Sequence, residues 1–150
     1  MVYGSEFPNS SFVGVDISDM FPQAIKPPNT TFTVANVLDG LPFEDNSFDY
    51  VFQRLLVFAF TRSQWAIAIR ELIRVTKPGG WIELSESDTE PQRTGSVTRE
   101  MSQRVTHALR ARGIDPLIAR SIDKPLILHD LEDVRTQFIS IPLYWGGRLG

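Results

Sequence analysis

Short β-rich runs separated by a helix or by long crossings are the strongest constraint on this chain, because that order points to an α/β domain with a mainly parallel sheet. Residues 11–17 (SFVGVDI) form a near-continuous apolar run with Gly14 inside it, the pattern of a parallel strand buried on both faces. A Pro-rich crossing with Pro22, Pro27 and Pro28 follows, where prolines forbid a long helix. Residues 31–38 (TFTVANVL) predict a second strand, 48–53 (FDYVFQ) a third and 81–85 (WIELS) a fourth. Between the last two, Thr61 and Gln64 fit a capping box, and Trp65, Ile69, Leu72 and Ile73 recur on one helical face. Lys77-Pro78-Gly79-Gly80 is expected to stop that helix. A second amphipathic helix is marked by Val97, Met101, Val105, Ala108 and Leu109, with Ser96 as N-cap and Gly113 just past its end. Short helical or turn segments are expected at 116–121 and 128–133, and a final strand at 134–143.

The 150 residues suit one domain, 1–150, and no composition shift or internal repeat divides them. With no cysteine, disulfides, thiolate metal sites and a cysteine nucleophile are excluded. The N-terminus lacks a basic and apolar leader pattern, and the longest apolar stretch, 55–60, is too short to span a bilayer. A pI near 5.3 argues against general nucleic-acid binding. These features lead to the expectation of a cytoplasmic protein with no membrane and no nucleic-acid partner. The triplets at Asn9 and Asn29 match a glycosylation pattern that matters only in a secreted protein.

Asp16 closes the first strand, and in nucleotide-binding α/β folds a carboxylate at a strand's C-terminal tip accepts hydrogen bonds from ribose hydroxyls. Taken alone, an Asp in that place is more often a turn or capping residue. Its company gives it weight: VGVDIS (13–18), ANVLDGLPFEDNSFD (35–49) and ELIRVTKPGGWIEL (71–84) occur in that order. Together they resemble the class I S-adenosylmethionine-dependent methyltransferases, in the small-molecule branch with LPF…FD and KPGG segments, and in wording a fungal branch of it. The resemblance is close over roughly residues 5 to 90 and loose beyond. It implies a Rossmann-like fold, S-adenosyl-L-methionine as cofactor and a small-molecule substrate.

Carried over by motif position, Asp16 would hold the ribose and Ile17 would pack on the adenine. Asn36 stands where many members have Asp, and its amide oxygen can accept from the adenine amine. Val37 would contact the ring, and Gln53 would line the methionine end. Arg54 and Glu86, at the ends of the third and fourth strands, are candidates to face the substrate. A turn-facing polar residue is the alternative for Asn36. Asp49 and the Leu41-Pro42-Phe43 loop read as structural, and Glu83 in a central strand needs a partner or a way to the rim. Arg93, Arg99, Arg104, Arg110 and Arg112 read as a solvated helix face. No residue is assigned to catalysis, because an activated sulfonium needs mainly proximity and alignment. An NAD-dependent oxidoreductase shares the acid after the strand but lacks support here, since no Tyr/Lys pair at short spacing is present.

The same resemblance implies sheet order 3-2-1-4-5-7-6, with a first strand and glycine-rich turn about 20 residues before the ribose acid. Only fifteen residues precede Asp16, and their glycines are Gly4 and, inside the strand itself, Gly14, which make no glycine-rich turn. The expectation is therefore an incomplete fold that lacks the first strand, the glycine-rich turn and the last strand after residues 145–150. The absent strand would lie between those at 11–17 and 48–53, so either these pair across the gap or their edges stay open to self-association. A non-catalytic remnant acting through such edges is the alternative to a working enzyme.

Overall fold

The computed structural model describes residues 2–22, 26–129 and 131–141. It is an α/β structure with two separate two-stranded parallel sheets. In the first, β1 (Phe12–Asp16) pairs with β2 (Thr30–Val34) in the register Phe12 to Thr30 through Asp16 to Val34. In the second, β3 (Phe48–Arg54) pairs with β4 (Thr76–Ser85). Among the described residues β1 and β3 do not pair, so their edges stay open.

A short helix α1 (Val2–Glu6) precedes β1, and Asn29 pins its end. The Asn29 amide donates to the carbonyls of Gly4, Phe7 and Ser10 at 2.8–3.1 Å. Its side chain is thereby committed inside the fold, which explains the Asn-Thr-Thr triplet without glycosylation. Gly14 is required by a close approach: a Cβ there would lie 2.6 Å from the ring of Phe32, its partner across the ladder. That ring stacks on Phe21 at 4.8 Å.

Helix α2 (Arg62–Val75) is the structural centre. Its capping box forms as expected, with Thr61 accepting from the Gln64 N–H and Gln64 Oε1 accepting from the Thr61 N–H at 2.8 Å. The periodic residues Trp65, Ile69 and Leu72 are buried together with Ala68 and Val75. Trp65, Ala68 and Ile69 join Val57, Phe60 and Ile118 in the core, and Phe60 meets Trp65 edge to face at 5.3 Å. Burying these large side chains is the main driving force the fold has.

Several expected boundaries shift. The second strand ends at Val34 rather than at 38, because Asn36 caps a 3₁₀ turn (Val37–Asp39). The KPGG segment lies inside β4, whose register breaks between Phe48 and Tyr50 while Gly79 takes a left-handed φ of 76°. Helix α3 (Ser96–Ala111) is capped by Gly95, so Ser96 is its first residue rather than its N-cap. After a 3₁₀ turn (Ile118–Ser121), helix α4 (Asp123–Leu128) stands upstream of the expected 128–133 segment. Residues 134–141 belong to no strand, and 142–143 of the expected final strand lie outside the described residues.

Burial differs most from expectation. On β3 and β4 the residues Tyr50, Phe52, Arg54, Trp81, Glu83 and Ser85 are exposed, while Gln53 is buried and Val51, Ile82 and Leu84 are partly so. The period of two shows that α2 covers one face of this sheet only. Glu83 thus avoids burial and accepts a hydrogen bond from the Tyr50 hydroxyl. The apolar stripe of α3 is likewise exposed, Val97 at 80% and Met101 at 67%.

Candidate functional site

The site residues fall at the C-terminal ends of the four strands, where parallel sheets collect ligands. Asp16 ends β1, and its Oδ1 accepts the Ser18 N–H at 2.9 Å. This turn aims Ile17 outward, 74% exposed. The Ala35 N–H donates to the Asp16 carbonyl at 2.9 Å, which brings the loops after β1 and β2 side by side. Asn36 follows directly. Its Oδ1 accepts from the Leu38 N–H at 3.1 Å and its Nδ2 donates to Asp39 at 2.9 Å. The side chain therefore caps a turn, the structural role that the sequence also allowed, and Oδ1 keeps one lone pair for a ligand. Val37 and Leu38 pack against the Trp65 and Ile69 core. In this way the 3₁₀ turn anchors the β2 end on α2.

A second cluster forms at the ends of β3 and β4. Gln53 is 7% exposed, and its Nε2 has no hydrogen-bond partner among the described residues. A buried amide left unpaired is costly, and such groups mark places awaiting a ligand or water. Arg54 ends β3 with its side chain in solvent. Glu86, just past β4, is half-buried, and its two oxygens accept the N–H groups of Leu56 at 3.0 Å and Val57 at 2.9 Å. Burial raises its pKa above the ordinary carboxylate range, opposed by those two N–H groups and by the nearby Gln53 amide, which sits off hydrogen-bond geometry.

Two ion-pair clamps, legible in the sequence only as scattered charges, hold the loops around these clusters. Arg74 donates to Glu71, to Asp45 and to the carbonyls of Leu41 and Phe43, while Glu71 also accepts the Leu41 N–H. The LPF…FD segment is thus bolted to the last turn of α2, and Phe43 meets Phe48 edge to face. Arg120 binds Asp88 through two nitrogens and Glu90 through one, fixing the loop after β4. Beside that loop a cavity of about 220 Å³ is lined by Phe58, Thr89, Met101 and Val105. Asp49 pairs with Lys77 at 2.8 Å on the exposed surface, as a structural residue would. The five arginines in and flanking α3 are all exposed, in keeping with a solvated face. Among the described residues no cluster of His, Asp and Glu could hold a metal, and no helix is long and apolar enough to cross a membrane.

A methyltransferase domain family model matches residues 3–84. The N-methyltransferase gliN of Aspergillus fumigatus is 28% identical over 140 residues, covering 89% of this chain and 50% of that protein. The N-methyltransferase sirN of Leptosphaeria maculans is 40% identical over 85 residues, covering 54% and 30% respectively. The methyltransferase grgD of a Penicillium species is 32% identical over 107 residues, covering 68% and 37%. The chain therefore spans half or less of these curated relatives' lengths.

Proposed function

The chain belongs to the class I S-adenosylmethionine-dependent methyltransferase family, by a domain match over more than half its length, and from that premise we propose that it contributes to methyl transfer onto a small molecule. The observation that carries this reading is the joining of Asp16 and Asn36 at adjacent strand ends through the Ala35 to Asp16 hydrogen bond. Three features fit the cofactor's parts: a carboxylate with one oxygen to spare, an outward apolar Ile17 and the unpaired Gln53 amide. Asp16 would hold the ribose, Ile17 and Val37 the faces of the adenine, and Asn36 its amine. Gln53 would hold the methionine end, with Arg54 and Glu86 toward the acceptor. S-adenosyl-L-methionine, when bound, supplies the activated methyl group, so these residues need only bind, orient and exclude water. The named N-methyltransferase relatives favour a nitrogen acceptor. The acidic balance favours a small molecule over nucleic acid.

Titration calorimetry with S-adenosylhomocysteine tests this reading. Binding in the micromolar range that weakens at least tenfold in Asp16→Ala supports it. No heat from folded wild-type protein at high micromolar ligand refutes it.

The unjoined strand pairs favour a second reading, in which the chain acts by association rather than catalysis. The open edges of β1 and β3 would then add to a partner's strands. Light scattering across a concentration series tests it, and a monomer at every concentration refutes self-association.

A further inference from the structure

Glu86 does more than end a strand. The Leu55 N–H donates to the Ser85 carbonyl at 3.0 Å and continues the β3–β4 ladder. Leu55 then takes a left-handed φ of 56°, a conformation that a bulky side chain disfavours. The reversal leaves two successive N–H groups, those of Leu56 and Val57, directed at the two oxygens of one carboxylate. Successive backbone N–H groups arranged around a left-handed residue form a small anion-binding concavity. Here the concavity is filled from within, by the Glu86 carboxylate reaching across from β4.

We infer that Glu86 is a positioning residue: by occupying this concavity it holds Leu55 in its strained turn and so sets how Gln53 and Arg54 are presented at the rim. The geometry supports this in three ways. Both carboxylate oxygens are engaged by backbone N–H groups, so the group's first duty is to the loop. The loop begins one residue after Arg54 and two after Gln53, so a change of turn reaches both side chains directly. Val57 and Phe60, immediately downstream, are buried in the core, and Gln53 and Arg54 upstream are paired with β4, so the loop is held at both ends and Glu86 fixes its path between them. The consequence for ligand binding rests on the reading of this rim given under Proposed function.

The test uses the whole chain with Glu86→Gln and Glu86→Ala. The glutamine retains one acceptor oxygen and loses the other, whereas alanine loses both. Hydrogen exchange at the Leu56 and Val57 amides is expected to quicken about tenfold at one of them in Glu86→Gln, and at both in Glu86→Ala. The α2 amides of Ile69 and Leu72 should keep their protection. The side-chain amide resonances of Gln53 and the Cα resonance of Leu55 should both shift in Glu86→Ala and move only part of the way in Glu86→Gln, the Leu55 shift being the one that neither a remote loss of stability nor the direct loss of the carboxylate beside Gln53 produces. Unchanged exchange at Leu56 and Val57, or unmoved Gln53 resonances, would overturn the inference, and neither measurement needs a ligand. Calorimetry then adds the functional arm: about tenfold weaker binding of S-adenosylhomocysteine in Glu86→Ala, measured at a temperature where the variant is fully folded. If the wild type fails to bind, the functional reading falls while the exchange and resonance measurements still decide the role of Glu86. Wild-type binding with undiminished affinity in Glu86→Ala overturns the positioning role.

Discussion

Gly14→Ala puts the pairing of β1 with β2 to a quantitative test. The added methyl would sit 2.6 and 2.7 Å from two carbons of the Phe32 ring, about 0.8 Å short of ordinary contact. The ring cannot step aside freely, because it stacks on Phe21 at 4.8 Å with planes 16° apart. Either the ring leaves that stack or β1 draws away from β2. Overpacking of this kind costs about 1–3 kcal/mol, and a lost aromatic pair about 1 kcal/mol. A net destabilisation of about 2 kcal/mol is expected, which for a chain of this size lowers the melting temperature by about 4–8 °C. Urea unfolding gives the free energy, and hydrogen exchange at Val13, Val15 and Phe32 locates it in this strand pair. Phe32→Leu should cost stability alone but absorb most of the Gly14→Ala penalty in the double variant, a coupling of about 1 kcal/mol or more. A loss below about 0.5 kcal/mol in the single Gly14→Ala variant, or full additivity in the double, would refute the steric reasoning.

Three further outcomes are expected. Ile69→Ala removes a fully buried side chain from the α2 core and should cost about 3 kcal/mol by urea denaturation, with the slope unchanged. Thr61→Ala breaks the capping box and should cost about 1 kcal/mol, read in the same assay as a smaller midpoint shift. Hydrogen bonding from Arg74 holds Glu71 below the ordinary carboxylate range, outweighing its burial. Its folded pKa being lower than its unfolded one, Glu71 contributes stability above the unfolded value, lost as pH falls through the folded one. Melting temperatures from about pH 7 to 3 should therefore fall more steeply for wild type than for Glu71→Gln, and parallel curves would count against the clamp.

Much of the candidate site was legible along the chain because it depends on position at a strand end. Asp16, Asn36, Gln53 and Glu86 each follow or close an apolar run, and a run's end can be read from its neighbours. Their side-chain commitments could not be read that way. Asn36 caps the next turn, and a small polar residue after a strand suits a ligand or a cap equally. Glu86 finds partners 29 and 30 residues away, across a loop whose left-handed Leu55 carries no compositional signal, being neither Gly nor Asn. The Arg74 clamp reaches loop atoms 29 to 33 residues distant, where sequence spacing says nothing.

The boundary between the two kinds of information is one of range. Helix periodicity, the capping box and the order of strands arise from interactions within a few residues, and all were set in the sequence itself, as was the family. Coverage of a sheet face depends on what packs there from elsewhere in the chain. The run at 11–17 that reads as a strand buried on both faces therefore emerges with Val13, Val15 and Asp16 exposed, and the four strands stand as two parallel pairs with open edges. Only the tertiary structure could decide this, because a strand's hydrophobicity states what it can bury, whereas the helices and neighbouring strands beside it determine what it does bury.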